Sequence, residues 1–432
     1  MDDLSVLMLY VAADKYLTRT GKLGFVITQS VMKTEGGGEG FRRLRLGDQE
    51  HLRVIQVDDF STVQCFEGAT NRTAVIILQK GSPTKFPLPY NFWRKTGRRG
   101  IPTGADHDEA MASLTYSRWV AQPVSTLKPN SPWLTGRRRA LTHLENVIGQ
   151  SEYAGRYGSH THLNGVYWLE IVATRKDGTI LVNNLHNTGK IKVRNVSMTI
   201  EPDFVFPLLR GRDVDRWSAN PGCHILIPQD PADPAKGYPV AQMQARFPKT
   251  YGYLRQFEEE LRGRSGFKQF FDIETAPFYS VYNVGTYSFA PFKVCWREVS
   301  TDIRAAVCTS TETKVVTFDH TLVGVSCNSE NEAHFICALL NSAPANFIVR
   351  SYVTLHPSPA ILKYIKIARF NPKDKTHRAL ADNSQSLHEA AATGKTEAIV
   401  VLEDENLQLA ATYWDLEKSE AADIKASLDE LA

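Results

Sequence analysis

The most constraining feature of the chain is an alternation of helix-like and strand-like segments in its first eighty residues. Leu4, Leu7, Met8, Val11 and Leu17 recur at helical spacing, and Gly21 suits the end of such a helix. Leu23-Gly24-Phe25-Val26-Ile27-Thr28 follows as a short, unbroken apolar run, the pattern of a strand buried in a sheet. After a glycine cluster (Gly36, Gly37, Gly38, Gly40), Phe41-Arg42-Arg43-Leu44 predicts a further helix. The apolar runs at 52–57 and 73–78 predict two more strands, with 60–71 as the loop of a hairpin-like pair. Helices that alternate with strands and end in an antiparallel edge belong to an α/β layer architecture.

Composition supports a folded chain. Of 432 residues, 42% are hydrophobic and 22% charged, which excludes collagen-like and disordered classes and is enough for two to three domains. No window approaches eighteen apolar residues, and Met1-Asp2-Asp3 has no basic character, so neither a membrane span nor a secretory signal is expected. Six scattered cysteines (Cys65, Cys223, Cys295, Cys308, Cys327, Cys337) contain no Cys-x-x-Cys; buried free thiols and a cytoplasmic setting are expected.

Net charge is +3, but residues 401–432 hold nine acids against two lysines. The other 400 residues carry 48 basic and 38 acidic side chains, a net +10. A basic body suits a polyanionic partner. Between residues 83 and 150 periodic runs are few and prolines frequent, and two basic clusters stand beside aromatics: Arg94-Lys95 with Arg98-Arg99 near Phe92-Trp93, and Arg137-Arg138-Arg139 near Trp133. Cations that neutralise phosphates beside rings that stack on bases fit nucleic acid; a solvated loop explains them equally. Residues 151–370 alternate short strand-like runs with Gly/Pro turns, broken by a charged helix near 251–264, and end in a helix (332–349) and a strand (361–367). Beyond 375 the chain is acidic and helical, with Leu407, Leu409, Tyr413, Trp414 and Leu416 as a packing face.

Other motifs are weak. The glycine cluster lacks the Lys-Ser/Thr of a phosphate loop and the spacing of a dinucleotide turn, so a plain loop is expected. His160 and His162 alternate without a third ligand at metal spacing. Asp203, Glu312 and Lys314 are the residue types of a nuclease, but more than a hundred residues separate the parts.

The order of the pieces is more telling than any of them. Gly21 to Ser30, then Phe41-Arg42-Arg43-Leu44, Phe60 to Phe66, and Val75-Ile76-Ile77-Leu78-Gln79-Lys80 resemble the second half of the catalytic domain of gamma-class N6-adenine DNA methyltransferases, the TaqI-like and type IIG restriction–modification group. The resemblance continues through Ser151-Glu152-Tyr153-Ala154-Gly155-Arg156-Tyr157-Gly158, Asn164-Gly165-Val166-Tyr167-Trp168 and Ile200-Glu201-Pro202-Asp203. It extends to Phe206-Pro207-Leu208-Leu209-Arg210-Gly211-Arg212-Asp213-Val214, Ala290-Pro291-Phe292-Lys293-Val294, Trp296-Arg297-Glu298 and Ala338-Leu339-Leu340-Asn341-Ser342. It reaches about residue 375.

The resemblance implies the C-terminal half of a Rossmann-like methyltransferase sheet, then a mixed α+β target recognition domain and a helical tail. The implied divisions are 1–82 (catalytic half), 83–150 (basic, proline-rich linker or insert), 151–375 (recognition) and 376–432 (acidic tail). It implies double-stranded DNA as partner, S-adenosylmethionine as cofactor and no metal. Such enzymes flip the target base out of the duplex, and by position Tyr153 is the aromatic that would stack on it, with Arg156 on a nearby phosphate. Arg210 and Arg212 are expected on DNA, or else locked to Asp213. Lys249, Arg264, Lys268 and Arg297 are further DNA-contact candidates, with Arg255, Arg262 and Gln269 beside them.

One departure matters. The family's cofactor loop and its Asn-Pro-Pro-Tyr/Phe loop have no counterpart here; no Asn-Pro-Pro or Asp-Pro-Pro occurs in the chain. The expectation is therefore a chain that needs a separate or upstream catalytic portion and does not methylate alone. The alternative is a non-enzymatic DNA-specificity subunit serving a separate catalytic chain.

Overall fold

A computed structural model describes residues 3–48, 50–66, 68, 71–97, 101–102, 104–352 and 356–431. Arg98 and Arg99, half of one predicted basic cluster, lie outside the described residues.

The first lobe is a layered sheet. Asp3 caps helix α1 (Leu4–Lys15) by accepting the Ser5 N–H at 2.9 Å, and Val6, Leu9 and Ala13 form its buried face. The helix stops at Lys15, well short of Gly21, which instead closes a turn onto the Thr18 carbonyl. Strand β1 (Lys22–Thr28) follows, then α2 (Ser30–Lys33) and a single 3-10 turn at Phe41–Arg43 where a helix was expected. Next come β2 (Arg45–Leu46), β3 (Glu50–Asp59) and β4 (Thr73–Lys80). As predicted, β3 and β4 are an antiparallel pair, and β4 also lies antiparallel to β1.

The stretch 83–150, expected as a linker or insert, contributes strands to the first lobe. It supplies β5 (Leu88–Lys95), α3 (His107–Ala112), β6 (Leu114–Pro123), β7 (Trp133–Gly136) and α4 (Arg138–Thr142). These strands extend one seven-stranded sheet in the order β1-β4-β3-β5-β6-β7, with β2 on β3. Within this sheet, among the described residues, only β3 and β5 pair in parallel. Alternate apolar residues explain the membership: Leu88, Tyr90 and Phe92 of β5 are buried and join Ile76, Leu78 and Trp119 in the core.

The second lobe, the part expected to recognise DNA, begins at β8 (Arg156–Tyr157) and α5 (Asn164–Tyr167). It continues through β9 (Trp168–Thr174), β10 (Ile180–Asn184), β11 (Ser197–Ile200), β12 (Val205–Leu209), β13 (Val214–Asp215), β14 (Ser218–Ala219) and β15 (Cys223–Leu226). Helices α6 (Val240–Arg246), α7 (Pro248–Arg255), α8 (Glu258–Gly263) and α9 (Ser265–Phe270) pack Met243, Tyr253, Leu254 and Leu261 against the sheet residues Leu169, Val182 and Ile225. Then come β16 (Phe292–Arg297), β17 (Ala305–Thr309), β18 (Thr317–Phe318) and β19 (Leu322–Cys327). Two sheets result, ordered β11-β10-β9-β15-β12-β18 and β17-β16-β19-β8, with β13-β14 as a small ribbon.

The end of the chain is helical: α10 (Glu330–Asn341), α11 (Ala343–Tyr352), α12 (Lys375–Ala392), α13 (Thr396–Tyr413) and α14 (Lys418–Glu430). The expected strand at 361–367 is absent; Pro359 starts a short 3-10 turn there instead. The tail is no separate unit. Leu380, Leu387, Trp414 and Ile424 share one core with Trp296, Phe335 and Val147, and Trp414 donates its indole N–H to the Lys366 carbonyl at 2.8 Å. Of the cysteines, all six are free thiols, but Cys65 is exposed and Cys223 half-buried, contrary to uniform burial.

Candidate nucleic-acid interface and an adjoining polar cavity

The predicted contact residues divide sharply by how their charges are spent. Arg264 is 5% exposed. Its guanidinium donates to the carbonyls of Leu261, Thr161, Phe278 and Ser280 at 2.7–3.0 Å. It is an internal staple, and its assignment to DNA is corrected. Arg210 is likewise buried, gripping Asp213 through two N–H bonds of 2.6 and 2.9 Å, so the lock prevails over a phosphate contact. Gly222 allows that grip, since a Cβ there would meet the Arg210 guanidinium at 2.1 Å.

Tyr153 is 5% exposed, and the guanidinium of Arg369 covers its ring at 4.6 Å. Its hydroxyl donates to Glu332 at 2.9 Å and accepts the Phe370 N–H at 2.9 Å. Here the residue ties β8's approach to α10; the ring does not stand free to stack on a base. Burial pushes the phenol well above its ordinary range.

The exposed cations are different. Arg212 and Lys268 pair with no carboxylate among the described residues and face solvent. Arg156 is exposed on the wall of a cleft of about 490 Å³ shared with Phe270, Tyr282 and Tyr287. Arg212 and Arg297 line a second cleft, about 520 Å³, with Trp168 and the rim of the Arg210 lock. Arg297 is half-spent on the Val214 carbonyl and Asp215. Lys249 is exposed with a loose partner, Asp177 at 3.6 Å, whereas Arg262 pairs with Glu258 one turn away. Arg255 and Gln269 are exposed.

Between the two clefts stands a column of rings. His162 stacks on His160 at 3.7 Å, His160 on His320 at 3.9 Å, and Phe270 on Tyr282 at 3.7 Å. Stacked imidazoles cannot converge their nitrogens on one cation, and among the described residues no group of His, Cys, Asp and Glu could hold a metal. Burial lowers His160 to about 3 and raises Asp319, beside the column, to about 6. The nuclease-type residues come together only through main chain: the Lys314 ammonium donates to the carbonyls of Pro202 and Asp203. The glycine cluster also packs. A Cβ at Gly38 would lie 2.0 Å from the Val31 carbonyl oxygen, where buried Arg42 donates to Val31, Thr34 and Asn130.

Sequence reasoning missed a polar cavity of about 180 Å³ in the first lobe. Strands β1 and β3 run in the same direction on either side of β4; Gln29 follows the carboxyl end of β1 and Asp59 ends β3. Ligands in open α/β sheets gather at such ends. Asp59 accepts from the Gln29 amide, the Tyr90 hydroxyl and the Ser61 N–H. Lys33, fully enclosed, donates to Thr135 and to the Ser351 carbonyl of α11, and burial lowers its ammonium to about 7. Gln29 Oε1, Trp119 Nε1 and the Tyr352 hydroxyl are buried without a partner among the described residues. The tip of the acidic tail lies at the mouth: Leu431 lines the cavity and its carbonyl accepts from Arg350, while Glu430 binds Arg137 through its carboxylate and Arg94 through its carbonyl.

With this geometry in hand, the chain can be set beside known proteins. No protein-family model matches it. Over 155 residues it is 30% identical to Type II methyltransferase M.NspV of Nostoc sp., covering 36% of this chain and 31% of that protein. The likeness is to a type II DNA methyltransferase. The expected resemblance to type II restriction–modification methyltransferases is thereby met. Among solved structures, the DNA complex of the Type IIL restriction-modification enzyme MmeI overlays with a TM-score of 0.52 at 10% identity, covering 99% of this chain and 51% of that one. The mixed α/β arrangement with a helical end therefore recurs in that fold. The chain spans about a third of the curated relative and about half of the MmeI chain. No described helix is long and apolar enough to cross a membrane.

S-adenosylmethionine does not fit this cavity. The cavity falls below the roughly 300 Å³ at which small-molecule sites begin, and it encloses the Lys33 amine, which offers a cationic donor no countercharge. Asp59, the cavity's buried carboxylate, is already held by three donors.

Proposed function

We propose that this chain is the DNA-reading and C-terminal catalytic portion of a site-specific N6-adenine DNA methyltransferase of a restriction–modification system. Its partner is double-stranded DNA in the cytoplasm. The methyl donor, S-adenosylmethionine, binds chiefly to residues outside this chain. The M.NspV match carries the reading. The unspent cations Arg156, Arg212 and Lys268 on the recognition lobe support it, because phosphate binding needs charges not already paired inside the protein. Lys249 and Arg297, each partly paired with a carboxylate, add two more.

A second reading, a non-enzymatic specificity subunit for a separate catalytic chain, is favoured by one observation: no Asn-Pro-Pro or Asp-Pro-Pro occurs in the chain. In both readings the chain alone binds duplex DNA and transfers no methyl group. Fluorescence anisotropy with a labelled duplex, titrated at several salt concentrations, tests the shared part. Binding that weakens steeply with salt supports it, and absence of duplex binding refutes it. Adding the catalytic portion and assaying N6-methyladenine separates the two readings.

A further inference from the structure

Strands β10 and β11 form an antiparallel pair, with Ile180 to Asn183 opposite Ile200 to Ser197, yet the loop that joins them runs from 185 to 196. Hairpin loops usually take about 2–5 residues. The extra length is not slack. Asn184, buried at the base of the loop, donates its amide to the carbonyls of Gly165 and Arg194 at 2.8 and 3.0 Å and accepts the Val196 N–H at 2.7 Å. Leu185, Val193 and Val196 pack on the core of the second lobe, and the Arg194 guanidinium lies 5.0 Å from the centre of the Phe257 ring. At the outer end Gly189 turns the chain with a φ of 85°, and the Lys192 ammonium donates back to the carbonyls of Asn187 and Gly189. On this braced tip Ile191 is 61% exposed, between Lys190 and Lys192.

A lone exposed apolar side chain is ordinary; this one differs in its mounting and its surroundings. Turn tips favour Gly, Asn, Asp and Ser, and here a β-branched apolar residue stands beyond a turn that Gly189 already completes. The segment 185–196 carries Lys190, Lys192 and Arg194 and no acid. Thr188 of the same loop lines the cleft of about 520 Å³ that holds Arg212 and Arg297. A protein surface that covered Ile191 would also have to neutralise these cations. A duplex meets both needs, with phosphates for the cations and an apolar slot between its base pairs. We infer that Ile191 is a wedge that enters the duplex between two stacked base pairs and kinks it, while Lys192 holds the tip rigid. Apolar wedges of this kind part a base step and bend the helix. The bracing matters, because a loop that had to be ordered on binding would give up part of the affinity gained. The inference rests on the proposed function, since it takes duplex DNA as the partner.

The probe is a duplex enriched from a randomised pool by binding to the full chain and labelled at its two ends for energy transfer. The full chain is expected to bend it by about 20–90°. Ile191→Ala is expected to lose most of that bend, with Tm and the salt dependence of binding unchanged, and Ile191→Leu to keep it. Val401→Ala, at a similarly exposed valine on α13, is the control and should leave the bend as it is. A duplex bound but unbent would overturn the inference and leave the functional reading standing. So would a bend that survives Ile191→Ala, a bend lost equally in Val401→Ala, or a Tm lowered by Ile191→Ala. No duplex bound at all would instead count against the functional reading, and the wedge would fall with it.

Discussion

The two lobes handle polar groups in opposite ways. In the sheet lobe, Gln29, Lys33, Asp59 and Tyr90 are enclosed together at the strand ends, and several polar atoms there still lack partners. In the second lobe, the buried cations Arg264 and Arg210 are held by internal acceptors, while exposed Arg212 and Lys268 pair with no carboxylate among the described residues. Burying an unsatisfied polar group costs about 1–3 kcal/mol, so an enclosed set with open valences marks an incomplete site. The second lobe also leaves Trp168 Nε1, Asp319 Oδ2 and His320 Nδ1 buried without partners among the described residues, so the difference lies in its cations and not in its whole interior.

The largest effect should come from the interior of the second lobe. Arg264→Ala strands four buried carbonyls and is expected to lower stability by about 3 kcal/mol or more, read by denaturant unfolding. Arg264→Lys should restore only part, because an ammonium cannot reach four acceptors in a plane. A loss under about 1 kcal/mol would break the distinction between staple and surface cation.

Next is Asp213→Ala, which leaves the Arg210 guanidinium buried without its partner. A cost of about 2 kcal/mol in unfolding free energy is expected. Retained stability would return Arg210 to the pool of free DNA contacts.

Acid should act on the second lobe and on the helical end. Burial holds His160, in the ring column, and His334, beneath the tail, neutral with values near 3. Once unfolded they protonate below about 6.5, so their stabilisation is complete above that pH and is lost as pH falls toward 3. Asp319, raised to about 6, works the opposite way between its ordinary 3.8 and 6. With two histidines against one carboxylate, Tm should fall between pH 7 and 5, and less so in His160→Asn. A Tm that rises on acidification would contradict this.

The smallest stability effect belongs to exposed pairs. Glu430→Ala removes the tail's contact with Arg137 and should cost under about 1 kcal/mol.

Much of the sheet lobe was legible because β1 and β4 are unbroken apolar runs. Strand β5 was hidden by Pro89 and by Arg94 and Lys95, although its buried residues alternate at 88, 90 and 92. Proline is tolerated there because the parallel ladder with β3 starts one residue later, at Tyr90. At the site, Arg264 and Arg212 looked alike in sequence. Only the carbonyls of Thr161 and Phe278, distant in the chain, make one a staple. The cavity joins residues 29, 33, 59, 90, 135 and 351, and its one local signal was a carboxylate, Asp59, ending an apolar strand.

The most direct test of the central claim is duplex affinity across a salt series for the full chain and for Arg212→Ala, Arg156→Ala and Lys268→Ala, beside the buried control Asp213→Ala. The account predicts that log K falls linearly with log salt and that each exposed variant reduces the slope by about one with Tm unchanged. Slopes that stay the same in all three exposed variants, or binding indifferent to salt, would contradict it.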